Sequence, residues 1–163
     1  MKDLYIRSVR KVIQYKHELE DKLNVKIVVK GTSVSISGKE VDEYFAERVL
    51  LALDYPFLVE DALLLKSEEF MFEVLKIKDF TKRKDMDTIK GRLIGTKGKT
   101  LNTLENLSDS YIAVKNNSVA IIAPVDTFDL ARQGVISLIQ GSKQGNVYSY
   151  LEKQGKERRQ RRE

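Results

Sequence analysis

Read for the spacing of its apolar positions, the chain changes period several times. From about Val9 to Leu23 the apolar residues recur at helical spacing. Short alternating runs follow at Val25–Val29 and Val34–Ser37, joined by turn residues around Gly31. Val41, Phe45, Val49 and Leu53, four apart, place one apolar face on a second helix. The same order then returns. Phe70, Phe72, Val74, Leu75 and Ile77 predict an opening strand, the part that Leu4–Ile6 takes in the first half. A two-helix stretch from about Thr88 to Ser108 comes next, then strands at Tyr111–Val114 and Val119–Ala123 about the tight turn Asn116-Asn117. A last helix starts after Pro124, with Asp126 or Thr127 as its cap, and stops at Gly141.

The recurrence is literal. Sliding the sequence on itself by 85 residues aligns positions 10–53 with 95–138 without a gap. Ten identities result, among them Leu19/Leu104, Glu20/Glu105, Ile27/Ile112, Val29/Val114 and Ile36/Ile121. Two copies of one unit are therefore expected, with a boundary near residues 65–70. Each reads β-α-α-β-β-α, an order that supports an α+β architecture: a three-stranded antiparallel sheet with helices on one face.

Composition narrows the chemistry. At 163 residues, 42% hydrophobic and 33% charged, the chain reads as globular. Its longest aliphatic run, Val49–Leu53, falls far short of the ~18 residues that a membrane span requires. The opening MKDLYIRSVRKVIQ is charged throughout, so no secretory signal and no membrane association are expected. There is no cysteine and a single histidine, His17, which reads as a solvated helix position. Disulfide frameworks, thiol nucleophiles and Cys- or His-based metal sites drop out, and the composition fits the cytoplasm. Asp85 and Asp87 have no neighbouring sign of acid–base chemistry. No enzyme activity, cofactor or metal is expected.

Charge points to a polyanion. Residues 1–69 hold 11 basic and 13 acidic groups; residues 70–163 hold 18 and 11. Seven cations, Lys82, Arg83, Lys84, Lys90, Arg92, Lys97 and Lys99, crowd one stretch of eighteen residues. A second cluster, Lys153, Lys156, Arg158, Arg159, Arg161 and Arg162, closes the chain and reads either as a frayed solvated terminus or as a further polyanion contact.

Inside the first cluster lies Leu93-Ile94-Gly95-Thr96-Lys97-Gly98-Lys99-Thr100-Leu101, a G-x-x-G between two helical stretches. Helices meeting at a glycine-bounded turn leave the first N–H groups of the second helix without intrahelical partners. Those donors and the positive end of the helix dipole favour an anionic oxygen. Glycines let a phosphodiester strand come close, Lys97 and Lys99 add charge, and Ile94 and Leu101 are expected to anchor the helices. A Walker A phosphate loop also ends in Gly-Lys-Thr, but its pattern demands glycine at position 93, where Leu93 stands. At the equivalent place in the first copy stands Arg10-Lys11-Val12-Ile13, with neither glycine, so a continuous helix without such a phosphate-binding turn is expected there. Lys82-Arg83-Lys84 reads as a solvated loop or as a phosphate-tracking strip beside the glycine loop, and Phe70, Phe72 and Phe80 as packing residues.

The run I-G-x-x-G-x-x-L, followed by a glutamate, the strand Tyr-Ile-Ala-Val and a second strand, resembles the type I KH RNA-binding domain from Phe70 through Gly141. That family holds about four nucleotides between the GxxG loop and the strand after it. Tandem units, a first copy without glycines and the ending Gln140-Gly141-Ser142 then Val147-Tyr148-Ser149-Tyr150-Leu151 are similar to the KH-type small-subunit ribosome assembly factors, the partner-of-Nob or Dim-two-like family, in their short archaeal form.

The resemblance implies residues 1–69 as a degenerate KH-like domain and 70–163 as an RNA-binding KH domain with a basic C-terminal helix. It implies binding of single-stranded RNA near the 3′ end of 16S rRNA, with the maturation endonuclease and the alpha subunit of translation initiation factor two as protein partners. Carried over, Gly95, Thr96, Lys97 and Gly98 would meet the RNA backbone, and Arg92 and Lys99 would pair with flanking phosphates. Ile94 and the strand residues Tyr111, Ile112 and Val114 would line the base groove, and Arg83 and Lys84 would track phosphates. Ser108-Asp109-Ser110 departs from the family's usual turn before that strand. Two alternatives remain on the sequence: a protein–protein adaptor, favoured by the acidic first copy, and a general KH RNA-binding regulator.

Overall fold

A computed structural model describes residues 1–162. Glu163 lies outside the described residues, as does the side chain of Arg162 from the closing cluster. Two compact units divide the chain, Met1–Phe72 and Glu73–Glu163. The first continues to Phe72 because that ring packs on Tyr55 and Phe57, with centroids 6.0 and 6.4 Å away.

The first unit runs β1 (Lys2–Tyr5), α1 (Val9–Gln14), α2 (Lys16–Leu23), β2 (Lys26–Lys30), β3 (Ser33–Ser37), α3 (Glu40–Ala52) and a short α4 (Val59–Ala62). β4 (Phe70–Lys76) starts at the end of the first unit and leads into the second, which continues through α5 (Met86–Ile94), α6 (Lys99–Ser108), β5 (Tyr111–Lys115), β6 (Ser118–Pro124), α7 (Phe128–Ile139) and α8 (Gln144–Arg162). Each holds a three-stranded antiparallel sheet, ordered β1-β3-β2 and β4-β6-β5. Among the described residues no helix is long and apolar enough to cross a membrane.

The two hairpins share one register. Ile27 opposes Ile36 and Val29 opposes Val34; 85 residues later Ile112 opposes Ile121 and Val114 opposes Val119. Their turns match as well, since Gly31 and Asn116 both sit at positive φ, 59° and 54°. Asparagine tolerates that left-handed region better than most residues, so either residue closes the turn. The same offset relates Asn24 (φ 55°) and Asp109 (φ 52°), the left-handed residues that end α2 and α6. Asp109 thus takes a left-handed conformation that glycine adopts without strain.

Before the hairpins the copies diverge. Residues 6–25 separate β1 from β2, whereas residues 77–110 separate β4 from β5. The first copy therefore lacks a full counterpart of α5 and of the basic segment before it. The continuous helix expected over Val9–Leu23 also breaks, at Tyr15 (φ −107°, ψ 20°). The reason lies in what each half is tied to. α1 is held to the segment after α3: the Ser8 N–H donates to Asp54, and Lys11 Nζ donates to the carbonyls of Tyr55 and Phe57, both at 2.7 Å. α2 is held to the sheet by Glu20, which accepts the Ile27 N–H at 2.8 Å. The backbone turns between these attachments.

In the second unit a single core gathers Leu75, Ile77, Ile89, Leu93, Leu104, Ile112, Ile121, Val135, Leu138 and Leu151. Phe80 packs at its margin with the Arg132 guanidinium 5.8 Å from its ring centroid. Thr127 takes the cap position of α7, one of the two expected, but its buried Oγ1 has no hydrogen-bond partner among the described residues.

Candidate nucleic-acid interface

α5 begins at Asp85, whose carboxylate accepts from the Thr88 hydroxyl at 2.6 Å and from the Thr88 N–H at 3.4 Å. These bonds hold its carboxyl below the ordinary aspartate range. The helix ends at Gly95, and within four residues the backbone enters positive φ three times: Gly95 (75°), Lys97 (54°) and Gly98 (75°). α6 starts at Lys99. Its Lys99 N–H is already bonded to the Thr96 carbonyl, and within the described residues no side chain caps the helix, so the next N–H groups of its first turn are left for an outside acceptor. Thr96, Lys97 and Lys99 are exposed around that end, and Leu93, Thr100 and Leu104 are buried beneath it.

The two glycines serve different purposes. A Cβ on Gly95 would lie 2.8 Å from the Thr100 backbone nitrogen and nearer still to its hydroxyl. Gly95 is thus required by the packing of α5 against α6. A Cβ on Gly98 would meet nothing within 4 Å. Gly98 is the position whose bareness leaves room above the loop.

Several expected contacts change on inspection. Ile94 is 36% exposed and does not anchor α5; Leu93, 1% exposed, does. Ile112 is withdrawn into the core at 5% exposure, because strand alternation turns it inward, so its side chain offers no surface to a base. Tyr111, 38% exposed, remains accessible on β5, an edge strand, whereas the half-buried Val114 lies on the face of Ile112 and packs against the same core. Arg92 is half-buried and donates from Nη2 to the Ser142 carbonyl at 3.0 Å, so part of its guanidinium is spent on the α7–α8 connection. Arg83 and Lys84 are exposed, but they precede α5 while the glycine loop follows it. The nine residues of α5 put about 13 Å between them and the loop, so they are not beside it.

Sequence reasoning did not foresee the buttress behind the loop. Gln144, the first residue of α8, donates from Nε2 to Thr100 Oγ1 at 3.1 Å and to the Arg92 carbonyl at 3.3 Å. A lone glutamine after a glycine carries no local signal of that pairing. In the first unit the equivalent of Thr96 is Lys11, committed to the carbonyls of Tyr55 and Phe57, and its neighbour Val12 is fully buried. Nothing like the open loop exists there.

Residues 71–156 match the model of the eukaryotic type KH-domain, KH-domain type I. A KH domain-containing protein of Methanocaldococcus jannaschii is 29% identical over 146 residues, covering 85% of this chain and 64% of that protein. The pre-rRNA-processing protein PNO1 of Coccidioides immitis is 29% identical over 138 residues, 80% of this chain and 54% of that protein. The chain thus spans between about half and just under two thirds of these two curated relatives. Among solved structures, Dim2p in the a/eIF2alpha–aDim2p–rRNA complex from Pyrococcus horikoshii superposes with a TM-score of 0.84 at 27% identity, covering 96% of this chain and 94% of that one. With an open GxxG turn, an edge strand behind it and these relatives, the chain belongs to the Pno1/Dim2 family of type I KH-domain ribosome assembly factors.

Proposed function

We propose that this protein binds single-stranded RNA in the biogenesis of the small ribosomal subunit, near the 3′ end of 16S rRNA. The observation that carries the reading is the bare Gly98 beside the uncapped start of α6, with Lys97 and Lys99 exposed on either side. An RNA phosphate at that helix end gains amide donors, dipole and two cations together. Thr96 and Gly95 complete the backbone contact, while Tyr111 and Ile94 face the bases. Lys99 and the remaining donors of Arg92 take flanking phosphates, and Arg83 and Lys84 serve only nucleotides beyond the far end of α5.

On this reading residues 70–163 form the RNA-binding KH domain and residues 1–69 a degenerate KH copy, the two being tandem type I units. The protein acts in the cytoplasm, without catalysis, alongside the maturation endonuclease and the alpha subunit of initiation factor two. The relatives support this: one is named for pre-rRNA processing and another was solved with rRNA and a/eIF2alpha. The test is binding of an RNA matching the 3′ end of 16S rRNA to the native chain and to a Lys97→Asp/Gly98→Asp variant. Gly98 is the better target than Gly95, whose replacement would disturb packing. Equal affinity of the two proteins, with the variant folded, would overturn the reading.

A second reading, an adaptor whose main output is protein contact, is favoured by the first unit. There Val41, Tyr44 and Leu58 are 59%, 50% and 63% exposed with no RNA clamp beside them. A Val41→Asp/Tyr44→Asp variant that loses partner proteins but keeps RNA affinity would favour it.

A further inference from the structure

The basic run that closes the chain is not used by the clamp, yet the fold gives it a fixed position. α8 is bound into the second unit by Val147 and Leu151, 4% and 0% exposed. Leu151 reaches α7 at Gly134, where a Cβ would lie 3.2 Å from its Cδ1, so the glycine is what lets the two helices close. The first turn of α8 is pinned at the glycine loop by Gln144, and from there the helix packs along α6 and α7.

Lys153, Lys156 and Arg159 are all exposed on this anchored helix. Among the described residues none of the three has a hydrogen-bond or ion-pair partner. Their three-residue spacing sets them about 4.5 Å apart along the axis, in a row slanted across the helix. The other basic residues of the run are differently placed. Arg158 and Arg161 line a polar cleft with Asp126, Gln154 and Glu157. Two acids neighbour the row in sequence, Glu152 before Lys153 and Glu157 after Lys156.

We infer that α8 is a second, sequence-independent RNA-backbone contact, in which Lys153, Lys156 and Arg159 neutralise phosphates of nucleotides lying outside the few held at the GxxG loop. This rests on the proposed clamp: the helix starts beside the loop, so a strand leaving the loop along α6 passes the slanted row. The helix is already ordered, so the contact needs no folding of the cations on binding, and its chemistry is charge neutralisation without base readout.

The experiment compares the full chain with a Lys153→Gln/Lys156→Gln/Arg159→Gln variant on two RNAs. One has about four nucleotides, enough for the groove alone, and the other adds about eight on each side. Affinity is followed by fluorescence anisotropy over a salt series. On the long RNA the variant should bind roughly tenfold more weakly at low salt, and its log K against log salt slope should be shallower by about 2, the value for three lost phosphate contacts on a single strand. On the short RNA the two proteins should agree. Identical slopes on the long RNA, or an equal loss on both RNAs, would overturn the inference. The Lys97→Asp/Gly98→Asp variant separates the two ideas. If it leaves short-RNA binding intact, the clamp reading fails, and the slope on the long RNA still decides α8.

Discussion

Glu105 on α6 and Ile112 on β5 are joined by one hydrogen bond, from the Ile112 N–H to Glu105 Oε2 at 3.0 Å. Glu20 and Ile27 make the same bond at 2.8 Å in the first unit. Each isoleucine lies on the edge strand of its sheet, where its amide has no neighbouring strand to receive it. The glutamate on the preceding helix supplies the acceptor and ties that helix to the hairpin. Both residues recur at the offset of 85, so the repeat preserves an interaction as well as a pattern.

Removing that acceptor should therefore cost stability in both units. A bond between an amide and a carboxylate is worth about 1.5–3 kcal/mol, and both glutamates are only half-buried, so Glu105→Ala and Glu20→Ala should each cost about 1–2 kcal/mol. Urea unfolding measures it. A cost near zero at Glu105 would mean that water replaces the carboxylate without loss.

The two loop glycines should separate stability from binding. Gly95→Ala drives a methyl against Thr100 and adds positive-φ strain, for a cost on the order of 2–4 kcal/mol. Gly98→Ala carries only the strain, about 1–2 kcal/mol, and its methyl enters open space. The Gly98 variant should stay folded and lose RNA affinity, as thermal melts and anisotropy on the same samples would show. If Gly95→Ala melts no lower than Gly98→Ala, the packing argument is wrong.

The docking of α8 depends on Leu151 against Gly134 and Leu104. Leu151→Ala should destabilise the second unit by roughly 2–4 kcal/mol. Gly134→Leu should go further and lift the helix. Hydrogen exchange of amides 147–158 should rise in both variants while that of β2 and β3 stays unchanged. Protection of α8 as strong as in the native chain would refute the role given to this contact.

Acid should loosen α5 before it loosens the core. The Thr88 hydroxyl and N–H lower the pKa of Asp85 in the folded chain. A carboxylate shifted in that direction contributes stability above its unfolded pKa and loses it as pH falls through the lower folded value. Amide shifts of Thr88 and its neighbours in α5 should titrate below the ordinary aspartate range, and Asp85→Asn should abolish that step. A midpoint at or above the usual value would contradict the cap.

Much of this protein follows from local order along the chain. Period, turn residues and the offset of 85 determine the strands, the hairpin turns at Gly31 and Asn116 and the glycine loop between two helices, but not every core position, since Val41 on the apolar face of α3 is 59% exposed. These depend on residues within a few positions of each other, where stereochemistry and apolar spacing act directly. Tertiary structure decided the rest. It alone distinguishes Gly95, which a neighbouring helix requires, from Gly98, which faces open space. It buries Ile112, turns Arg92 toward Ser142, sets Arg83 and Lys84 a helix length from the loop, and braces that loop with Gln144. Each of these outcomes depends on atoms brought together from distant parts of the chain, and a side chain's partners are settled only when those parts pack.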